Sequence, residues 1–296
     1  MDAKSTLAIV MSPPSKRKLQ PIPPSADWRF DLAEGCPAHC QYCYLAGSLS
    51  GPPVTRVYAN IEEILDGLSE YVGRGHITSA SQARADEGTT YEGSCYTDPV
   101  GIEHLTGSLA KAILSFRRMA STGAATLHDE VREFRFTAHH YTQQSQAHPL
   151  LSQQRSSGAL RGAPLACPRA STACVAWPSR VIRLGLRLPR LCPKVIGGKL
   201  IGCCCGRLPA ALAGLANVDL TIELITHRFT PKSKTVLNEW YNASNLDMDE
   251  NTRAKKRTKF GSLKYVYPAE LMKAMRKFFD EAIAEHLPNA RILYWT

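Results

Sequence analysis

Three cysteines with the spacing C-x3-C-x2-C lie within eight residues, at Cys36, Cys40 and Cys43. Their thiolates can reach one metal centre only if the backbone forms a tight loop, and Gly35 and Pro37 favour such a loop. Three thiolates can hold a [4Fe–4S] cluster that keeps one iron without a protein ligand, and that iron can bind a small molecule. The spacing therefore predicts an iron–sulfur centre with one open coordination position.

Zinc is the alternative occupant of this loop. Structural zinc takes four Cys or His ligands, and His39 lies inside the loop, where it could supply the fourth. An aromatic residue stands on each side of the third cysteine, at Tyr42 and Tyr44. The spacing leaves both metals open, although a count of three thiolates favours the iron–sulfur cluster.

Composition limits the class of protein. The chain has 296 residues, of which 44% are hydrophobic, enough for one large core or two smaller ones. No run of 18 apolar residues predicts a membrane span, and the apolar stretch 7–11 is too short for a signal peptide. An iron–sulfur centre requires a reducing compartment, so we expect a cytoplasmic protein despite its ten cysteines. The net charge of +10 suits a polyanionic partner.

Strand and helix patterns alternate along the first third of the chain. We predict a strand over 54–58, a helix over 61–72 with Asn60 as its cap, a strand that ends near Cys95, and a helix that residues 97–99 open. This alternation is typical of a parallel α/β barrel or open sheet. In such folds reactive groups lie where strands end and loops begin.

The two ends of the chain have simpler patterns. Residues 1–30 are rich in Pro and Lys, which predicts an extended linker with one strand over 6–11. Towards the C-terminus, strands are predicted over 218–225, 264–267 and 291–295, and helices over 233–241 and 269–286.

Residues 117–206 do not have the pattern of a folded α/β protein. Acidic residues nearly vanish there: after Glu133 the next one is Asp219. Leu and Arg alternate over 181–190, and a cysteine triplet stands at 203–205. We predict an aberrant segment between two ordered parts of the chain.

Four stretches resemble the spore photoproduct lyase family, whose members are radical S-adenosylmethionine enzymes. They are Gly-Cys-x-x-His-Cys-x-Tyr-Cys-Tyr-Leu at 35–45, Thr-Arg-Val-Tyr-Ala-Asn at 55–60, Cys-Tyr-Thr-Asp-Pro-Val-Gly-Ile-Glu-His-Leu-Thr at 95–106 and Ile-Glu-Leu-Ile-Thr-His-Arg-Phe at 222–229. The resemblance covers about 1–116 and 207–296. It implies an enzyme that repairs a thymine dimer in DNA by hydrogen abstraction, with an external one-electron reductant of the flavodoxin or ferredoxin type.

The resemblance also implies roles for the cysteine loop. Cys36, Cys40 and Cys43 would hold the [4Fe–4S] cluster, whose open iron binds S-adenosylmethionine. Tyr42 and Tyr44 match aromatic residues linked to cofactor stacking and to return of the radical. Packing around the cluster is an equally good interpretation of both tyrosines.

Cys95 would be the hydrogen donor that quenches the product radical, according to the resemblance. A thiol suits this task because its S–H bond is weak, although a buried Cys can also be only a small hydrophobic residue. Asp98 lies in the same loop and would help to hold the cofactor.

A basic and aromatic stretch at 255–267 falls where the family carries a hairpin that approaches DNA. Lys259, Phe260 and Lys264 are the predicted DNA-binding residues, because Lys neutralises phosphates and aromatic rings stack on bases. Lys259 and Phe260 stand where the spore enzymes have Arg and Tyr, which leaves a relative with another substrate open. A solvated turn is the plainer interpretation.

The predicted fold is α/β, a partial (β/α)6-type radical S-adenosylmethionine barrel with disrupted central strands. Its parts are the linker 1–30, the first part of the barrel with the cluster loop at 31–116, the aberrant segment 117–206, and the last part of the barrel with the DNA-approach hairpin at 207–296.

A shifted reading frame explains why 117–206 keeps the expected length but not the expected residues. Codons for 180–193, read one base displaced, can spell Gly-Tyr-Pro-Leu-Gly-Leu-Thr-Ile-Ala-Pro-Ile-Met-Pro, which resembles a barrel strand of the family. Stretches 194–207 and 126–131 give similar matches in family order. If this hypothesis is right, we expect an unstable and inactive polypeptide, because the apolar pattern of the central strands is missing.

Three functions are therefore compared. The first is a radical enzyme that repairs a thymine dimer in DNA, and the second is an enzyme of the same family with a different substrate. The third is a non-catalytic protein that binds zinc and nucleic acid through its cysteines and its positive charge.

Overall fold

The structure is a computed structural model of a mixed α/β protein. It describes residues 2–39, 43–48, 51–75, 89–121, 133–136, 182–191, 218–241, 246–257 and 261–296. The chain forms two compact units. The first comprises Met1–Pro37 and Gly51–Ala138, and the second comprises Ala38–Ser50 and His139–Thr296.

The first unit contains seven described strands and four α-helices. In chain order they are β1 (Leu7–Val10), α1 (Pro14–Arg17), β2 (Gln20–Ile22), β3 (Ala26–Phe30), β4 (Ala33–Glu34), β5 (Thr55–Tyr58), α2 (Ile61–Asp66), β6 (Thr90–Gly93), α3 (Pro99–Thr106), α4 (Ser108–Ser121) and β7 (Glu133–Phe136). A three-stranded sheet has the order β1-β5-β4, and a four-stranded sheet has the order β2-β3-β6-β7. The pairs β1–β5, β3–β6 and β6–β7 are parallel.

The core of the first unit lies between these strands and the helices. It consists of large apolar side chains, several from α2 and the turn after it: Phe30, Leu32, Tyr58, Ile61, Ile64, Leu65, Leu68, Tyr91 and Phe116. Tyr91 and Leu68 are fully buried, and the phenol of Tyr91 donates a hydrogen bond to the carbonyl of Leu68. This core fixes strand β6, which leads to Cys95.

The N-terminal linker that the sequence predicts over 1–30 is instead part of the sheets. The predicted strand at 6–11 is confirmed as β1, but β2 and β3 also lie in this region. The carboxylate of Asp27 on β3 accepts hydrogen bonds from the backbone N–H and the hydroxyl of Thr90 on β6. These strands could not be predicted from the prolines around β2, because Pro is typical both of linkers and of edge strands.

Two helix predictions need correction. The predicted helix 61–72 is α2 followed by a 3-10 helix at Gly67–Tyr71, and the side chain of Asn60 makes no capping bond. Asn60 instead exchanges hydrogen bonds with the backbone of Ser12. The helix opened by 97–99 ends at a left-handed Gly107 (φ 60°), and α4 begins at the next residue. Only Gly adopts this conformation without strain, so the chain turns there.

The second unit contains five described strands and two α-helices. They are β8 (Ile182–Leu191), β9 (Val218–Thr226), α5 (Pro231–Trp240), β10 (Ala254–Arg257), β11 (Leu263–Val266), α6 (Ala269–His286) and β12 (Arg291–Trp295). Parallel strands form the sheet β12-β9-β8, and β10 and β11 form an antiparallel hairpin. Helix α6 packs against β9 through buried Met275, Phe279 and Ile283. The elements predicted from residue 218 onward are confirmed.

Strands β7 and β8 lie inside the segment 117–206, where the sequence analysis predicted none. Strand β7 pairs with β6, and β8 pairs with β9. The Leu/Arg alternation over 181–190 is itself a period-two pattern, which is typical of a strand with one apolar face. This pattern was recognised but not interpreted as a strand.

A membrane span is not found in the part of the chain that the structure describes. No helix there combines the length and the apolar character that a bilayer crossing requires.

Candidate functional site

The first half of the cysteine loop is fixed by a glycine that no other residue can replace. Gly35 has a φ of 79°, and a Cβ atom there would lie 2.3 Å from the carbonyl oxygen of Val54. Both the conformation and the contact exclude a side chain. The ammonium of Lys4 donates a hydrogen bond of 3.0 Å to the carbonyl of Cys36, which is buried. The backbone of Cys36 is therefore held from two sides.

The second half of the loop lies in the second unit. Cys43 is buried and immediately precedes a 3-10 helix at Tyr44–Gly47. This helix packs on α5: a Cβ atom at Gly47 would lie 3.0 Å from Cβ of Ser233. Ser233 forms a reciprocal capping box with Thr230 at the start of α5, which stabilises the contact.

Two of the three predicted cluster ligands lie among the described residues. Cys36 and Cys43 are buried, and neither is in a disulfide. Cys40 and Tyr42 lie outside the described residues, so the third thiolate and this aromatic residue stay predictions. Tyr44 begins the 3-10 helix, and its predicted role also stays a prediction.

Cys95 stands where the sequence predicted it, two residues after the end of β6, and it is buried. The preceding residue, Ser94, adopts a left-handed conformation with a φ of 62°. Its N–H donates a 2.7 Å bond to the carbonyl of Phe30, and its hydroxyl accepts a 3.1 Å bond from the N–H of Leu32. A non-glycine residue in this region is strained, and such strain persists only when the surroundings hold it.

Asp98 caps α3, the helix that residues 97–99 are predicted to open. Its carboxylate accepts a hydrogen bond from the N–H of Gly101 at 3.3 Å, and Pro99 occupies the first turn. Asp98 is buried next to the Cys95 loop. The cap connects Cys95 rigidly to the helix, whereas the cofactor contact of Asp98 stays a prediction.

Sequence reasoning missed three residues around Cys95. Asp31 lies between Phe30 and Leu32 at the end of β3, and burial raises its pKa to about 6, an effect that the nearby guanidinium of Arg29 opposes. That guanidinium lies 4.6 Å from the ring centroid of Tyr96. Burial disfavours the charge on Arg29, but Tyr96 and Asp31 outweigh it and raise its pKa. Asp31, Arg29 and Tyr96 come together only because β3 pairs with β6, a pairing that the sequence did not predict.

The basic hairpin has three cations close together. Burial, reinforced by the charges of Arg228 and Lys256, lowers the pKa of Lys264 on β11. Lys256 on β10 stands opposite Lys264 in the hairpin register and is exposed. Lys259 and Phe260 lie outside the described residues, so their contact with DNA stays a prediction.

A buried arginine anchors this hairpin to the end of β9. Arg253 donates hydrogen bonds to the carbonyls of His227 and Asp247, at 3.1 and 2.8 Å. Its guanidinium lies 3.6 Å from the ring centroid of Tyr267 and 5.5 Å from that of Phe229. These contacts combine charge-assisted hydrogen bonds with cation–π attraction. Arg253 stands just before a run of basic residues, so the sequence alone does not distinguish this buried clamp from the exposed cations that follow it.

Comparison with known proteins identifies the family. The family model described as "Spore photoproduct lyase" matches residues 1–144 and 204–296, well over half of the chain. The chain belongs to the spore photoproduct lyase family. This confirms the resemblance that the sequence motifs carried.

Curated relatives in the family cover the same span. The chain is 30% identical over 311 residues to the spore photoproduct lyase of Bacillus subtilis (strain 168), covering all of this chain and 83% of that protein. It is also 30% identical over 316 residues to that of Geobacillus sp. (strain Y412MC61), with the same coverage.

Solved structures agree with the family assignment. A spore photoproduct lyase complexed with dinucleoside spore photoproduct has a TM-score of 0.71 at 28% identity, covering all of this chain and 84% of that one. A variant of spore photoproduct lyase with bound AdoMet and dinucleoside spore photoproduct has a TM-score of 0.69 at 29% identity.

Proposed function

We propose that the chain is a radical S-adenosylmethionine lyase that repairs the spore photoproduct, a thymine dimer, in DNA. The single observation that carries this is the placement of Cys95, a buried thiol at the carboxyl end of a parallel strand, in a chain of this family. Reactive groups of parallel α/β folds lie at this end of the strands. Related proteins bind AdoMet and the dinucleoside spore photoproduct.

The cysteine loop supplies the metal ligands in this proposal. Cys36, Cys40 and Cys43 hold the [4Fe–4S] cluster, and Tyr42 and Tyr44 pack beside the cofactor. When bound, the cluster and S-adenosylmethionine supply the 5'-deoxyadenosyl radical that abstracts a hydrogen atom. The electron for this chemistry comes from an external donor of the flavodoxin or ferredoxin type.

Cys95 completes the reaction by transferring its thiol hydrogen atom to the thymine product radical. The S–H bond breaks and a C–H bond forms, which leaves a thiyl radical on the sulfur, and Tyr42 and Tyr44 would return this radical towards the cofactor. Burial of Cys95 keeps other hydrogen donors away from the product radical. Asp98 fixes the same loop to α3 and, in this proposal, also contacts the cofactor.

The hairpin β10–β11 is the proposed DNA contact. Lys259, Phe260 and Lys264 approach the duplex, where the lysines neutralise phosphates and the ring stacks on a base. The closeness of Arg228 and Lys256 to Lys264 supports this use, because a phosphate would relieve the positive charge that, after burial, lowers the pKa of Lys264.

The barrel architecture is part of the same proposal. We infer a partial (β/α)6-type barrel whose first part is 31–116 and whose last part is 207–296. The parallel pairs β3–β6, β6–β7, β8–β9 and β9–β12 support it.

A frame-shifted segment over 117–206 remains our explanation for the unusual residues there. The family model leaves out 145–203, which supports the idea for those residues, although it matches 117–144. Sequencing of the source DNA decides the matter. Stop codons in the displaced frame, or the absence of family residues there, would refute it.

Anaerobic reconstitution with iron and sulfide tests the metal. A brown protein that binds roughly four irons per chain is expected. A colourless protein that binds one zinc instead would support the zinc and nucleic-acid alternative. The protein should be compared with a frame-restored version, because the frame hypothesis predicts that only the restored version is stable and cleaves S-adenosylmethionine.

Turnover of an oligonucleotide that contains the spore photoproduct tests the substrate. We expect repair to two thymines, and we expect Cys95→Ala to consume the substrate but to yield aberrant products. Cys192→Ala is the matched control and should leave the products unchanged. Cleavage of S-adenosylmethionine without consumption of the lesion would point to another substrate within the family.

A further inference from the structure

The first turn of helix α5 contacts the cysteine loop on one side. An added Cβ atom at Gly47 would lie 3.0 Å from Cβ of Ser233 and 3.2 Å from the hydroxyl oxygen of Thr230. Thr230 and Ser233 are the two members of the capping box that starts α5. The 3-10 helix Tyr44–Gly47, which follows Cys43, therefore rests directly on the residues that fix the beginning of α5.

The hairpin β10–β11 reaches the same turn through Phe229, the residue before Thr230. Phe229 and Tyr265 on β11 exchange backbone hydrogen bonds of 3.2 and 2.8 Å, and their rings stack with centroids 5.2 Å apart. Both residues are buried. Because Phe229 and Thr230 are neighbours in the chain, a shift of β11 also shifts the residue that caps α5.

An ion pair makes a second connection from the hairpin to α5. The ammonium of Lys234 lies 3.1 Å from Oε1 of Glu250, which belongs to the 3-10 helix Glu250–Thr252 just before β10. The same ammonium lies 5.9 Å from the ring centroid of Phe229. The carbonyl of Glu250 accepts a 3.3 Å bond from the N–H of Arg253, the buried anchor of the hairpin. Lys234 thus joins α5 to the start of β10.

The value of this ion pair lies in its place rather than in its strength. The side chains of Lys234 and Glu250 are 30% and 39% exposed, and pairs in water add little to stability. However, Lys234 directly follows Ser233, whose Cβ faces Gly47. Two neighbouring residues of one helical turn therefore contact the hairpin and the cysteine loop.

We propose that Lys234 is a positioning residue for the hairpin, and that the first turn of α5 makes the position of the hairpin and the order of the cysteine loop after Cys43 depend on each other. Contiguous packed contacts such as these carry coupling between two sites, and coupling is reciprocal. The inference rests on the proposed function, in which the hairpin contacts DNA and the loop holds the cluster. DNA on the hairpin would then order the loop, so that the radical forms beside its substrate.

Amide exchange on the intact chain tests the coupling without cluster, cofactor or DNA. The readout on the loop is the N–H of Ser48, which bonds to the carbonyl of Leu45, and the readout on the hairpin is the N–H of Tyr265. Glu250→Gln changes only the hairpin side, yet we expect the Ser48 amide to exchange roughly two- to fivefold faster, the effect of losing an exposed ion pair. Lys234→Met should have the same effect on both amides.

Lys232→Met is the matched control, because it removes an equal charge that is exposed on the same turn of α5. It should leave both amides unchanged. Combining Lys234→Glu with Glu250→Lys restores the pair in reverse order and should return the Ser48 amide to the rate of the unaltered chain, a rescue that a general loss of stability would not show. An unchanged Ser48 amide in Glu250→Gln, or an equal change in Lys232→Met, would overturn the proposal.

Gly47→Ala probes the coupling from the loop side. Its Cβ would press on Ser233, and crowding of this kind is destabilising, so we expect the Tyr265 amide on the hairpin to exchange at least roughly fivefold faster. Gly67→Ala is the control, because no atom lies within 4 Å of its added Cβ. An unchanged Tyr265 amide in Gly47→Ala would show that the contact transmits nothing and would refute the coupling.

A DNA duplex that contains the spore photoproduct extends the test to the substrate. At saturating DNA, exchange of the Ser48 amide should slow roughly fivefold or more in the unaltered chain and in Lys232→Met, but less than roughly twofold in Lys234→Met. Equal slowing in all three would refute the role of Lys234. If the duplex does not bind, the proposed function fails for this chain, and the exchange data without DNA decide whether α5 couples its two contacts.

Discussion

The loops that follow strands β6 and β9 are held in different ways. After β6, the N–H and the hydroxyl of Ser94 bond to the backbone of Phe30 and Leu32, on and just after β3. After β9, the guanidinium of Arg253 bonds to the carbonyl of His227, and Phe229 exchanges backbone hydrogen bonds with Tyr265 on β11. A buried charged side chain takes part in holding the second loop, whereas these two bonds of Ser94 in the first loop are to backbone groups.

The difference agrees with the two roles that we propose for these loops. A hydrogen donor must be fixed to within a fraction of an ångström, which backbone bonds achieve better than a flexible side chain. A surface that binds DNA needs cations in water, where they can reach phosphates. On this hairpin, Arg253 is the buried anchor and Lys256 is exposed to water.

Arg253→Ala should have the largest effect on stability. It leaves the carbonyls of His227 and Asp247 without their donor and removes the packing on Tyr267, so we expect the free energy of unfolding to fall by about 3 kcal/mol. Lys256→Ala on the same hairpin should change it by less than about 0.5 kcal/mol. Chemical denaturation measures both. Equal effects would show that Arg253 is not the anchor.

Asp31→Asn should act in the opposite direction. The pKa of Asp31 is raised from 3.8 to about 6, so the folded state favours its neutral form. The resulting stability is present below pH 4 and is lost as the pH rises through about 6, a change of about 3 kcal/mol. At pH 7 the Asn variant should therefore be more stable by about 2 to 3 kcal/mol.

Asp27→Asn serves as the control for that measurement. Its carboxylate accepts two bonds from Thr90, both at Oδ2, and Asn would keep only part of this pairing, so we expect a loss of about 1 kcal/mol rather than a gain. Denaturant midpoints from pH 4 to pH 8 give the comparison. If Asp31→Asn is less stable than the unaltered chain at pH 7, the carboxylate contributes more through its bonds than it loses by burial.

Ser94 offers a smaller and more specific test of the first loop. Ser94→Ala keeps the strained left-handed backbone but leaves the N–H of Leu32 without its acceptor, so we expect a loss of about 1 to 2 kcal/mol. Ser94→Gly loses the same bond but relieves about 1 kcal/mol of strain and should be nearly neutral. The order of the two variants in thermal unfolding is the readout. A less stable Gly variant would show that the backbone at Ser94 is not strained.

Lys256→Ala should have the smallest effect, and only on binding to DNA. Lys256 lies opposite Lys264 on the hairpin that we propose as the DNA contact, so its removal should cost one phosphate contact and reduce the slope of log K against log salt by about 0.9, without changing sequence preference. Lys277→Ala on α6 removes an equally exposed charge that pairs with Glu281 and should leave the slope unchanged. Equal slopes for both variants would place the DNA contact elsewhere.

Local patterns explain what the sequence could predict. The spacing of Cys36, Cys40 and Cys43, the cap at Asp98 and the apolar strand that became β9 each occupy a few neighbouring residues. Such local patterns can be recognised without knowledge of the fold. They were sufficient for the family, the ends of β6 and β9, and the amphipathic helix α6.

Long-range pairing explains what the sequence could not predict. Leu32 and Ser94 are 62 positions apart and meet only because β3 lies beside β6. A Pro-rich flank concealed β3, and nothing in the spacing of Arg253 distinguishes its buried side chain from the exposed lysines that follow. Recognition of β3 as a strand was the missing step for Asp31.

Gly35 has a consequence for how sequences of this kind can be sorted. Its positive φ and the 2.3 Å approach of the Val54 carbonyl are two separate barriers to any side chain, so no single compensating change elsewhere can remove both. Substitution of Gly35 is therefore more strongly restricted than substitution of the surrounding residues. If a sequence has three correctly spaced cysteines but a residue other than glycine before the first one, we expect its loop to have a different shape. Cysteine spacing alone should therefore not assign such a sequence to this family.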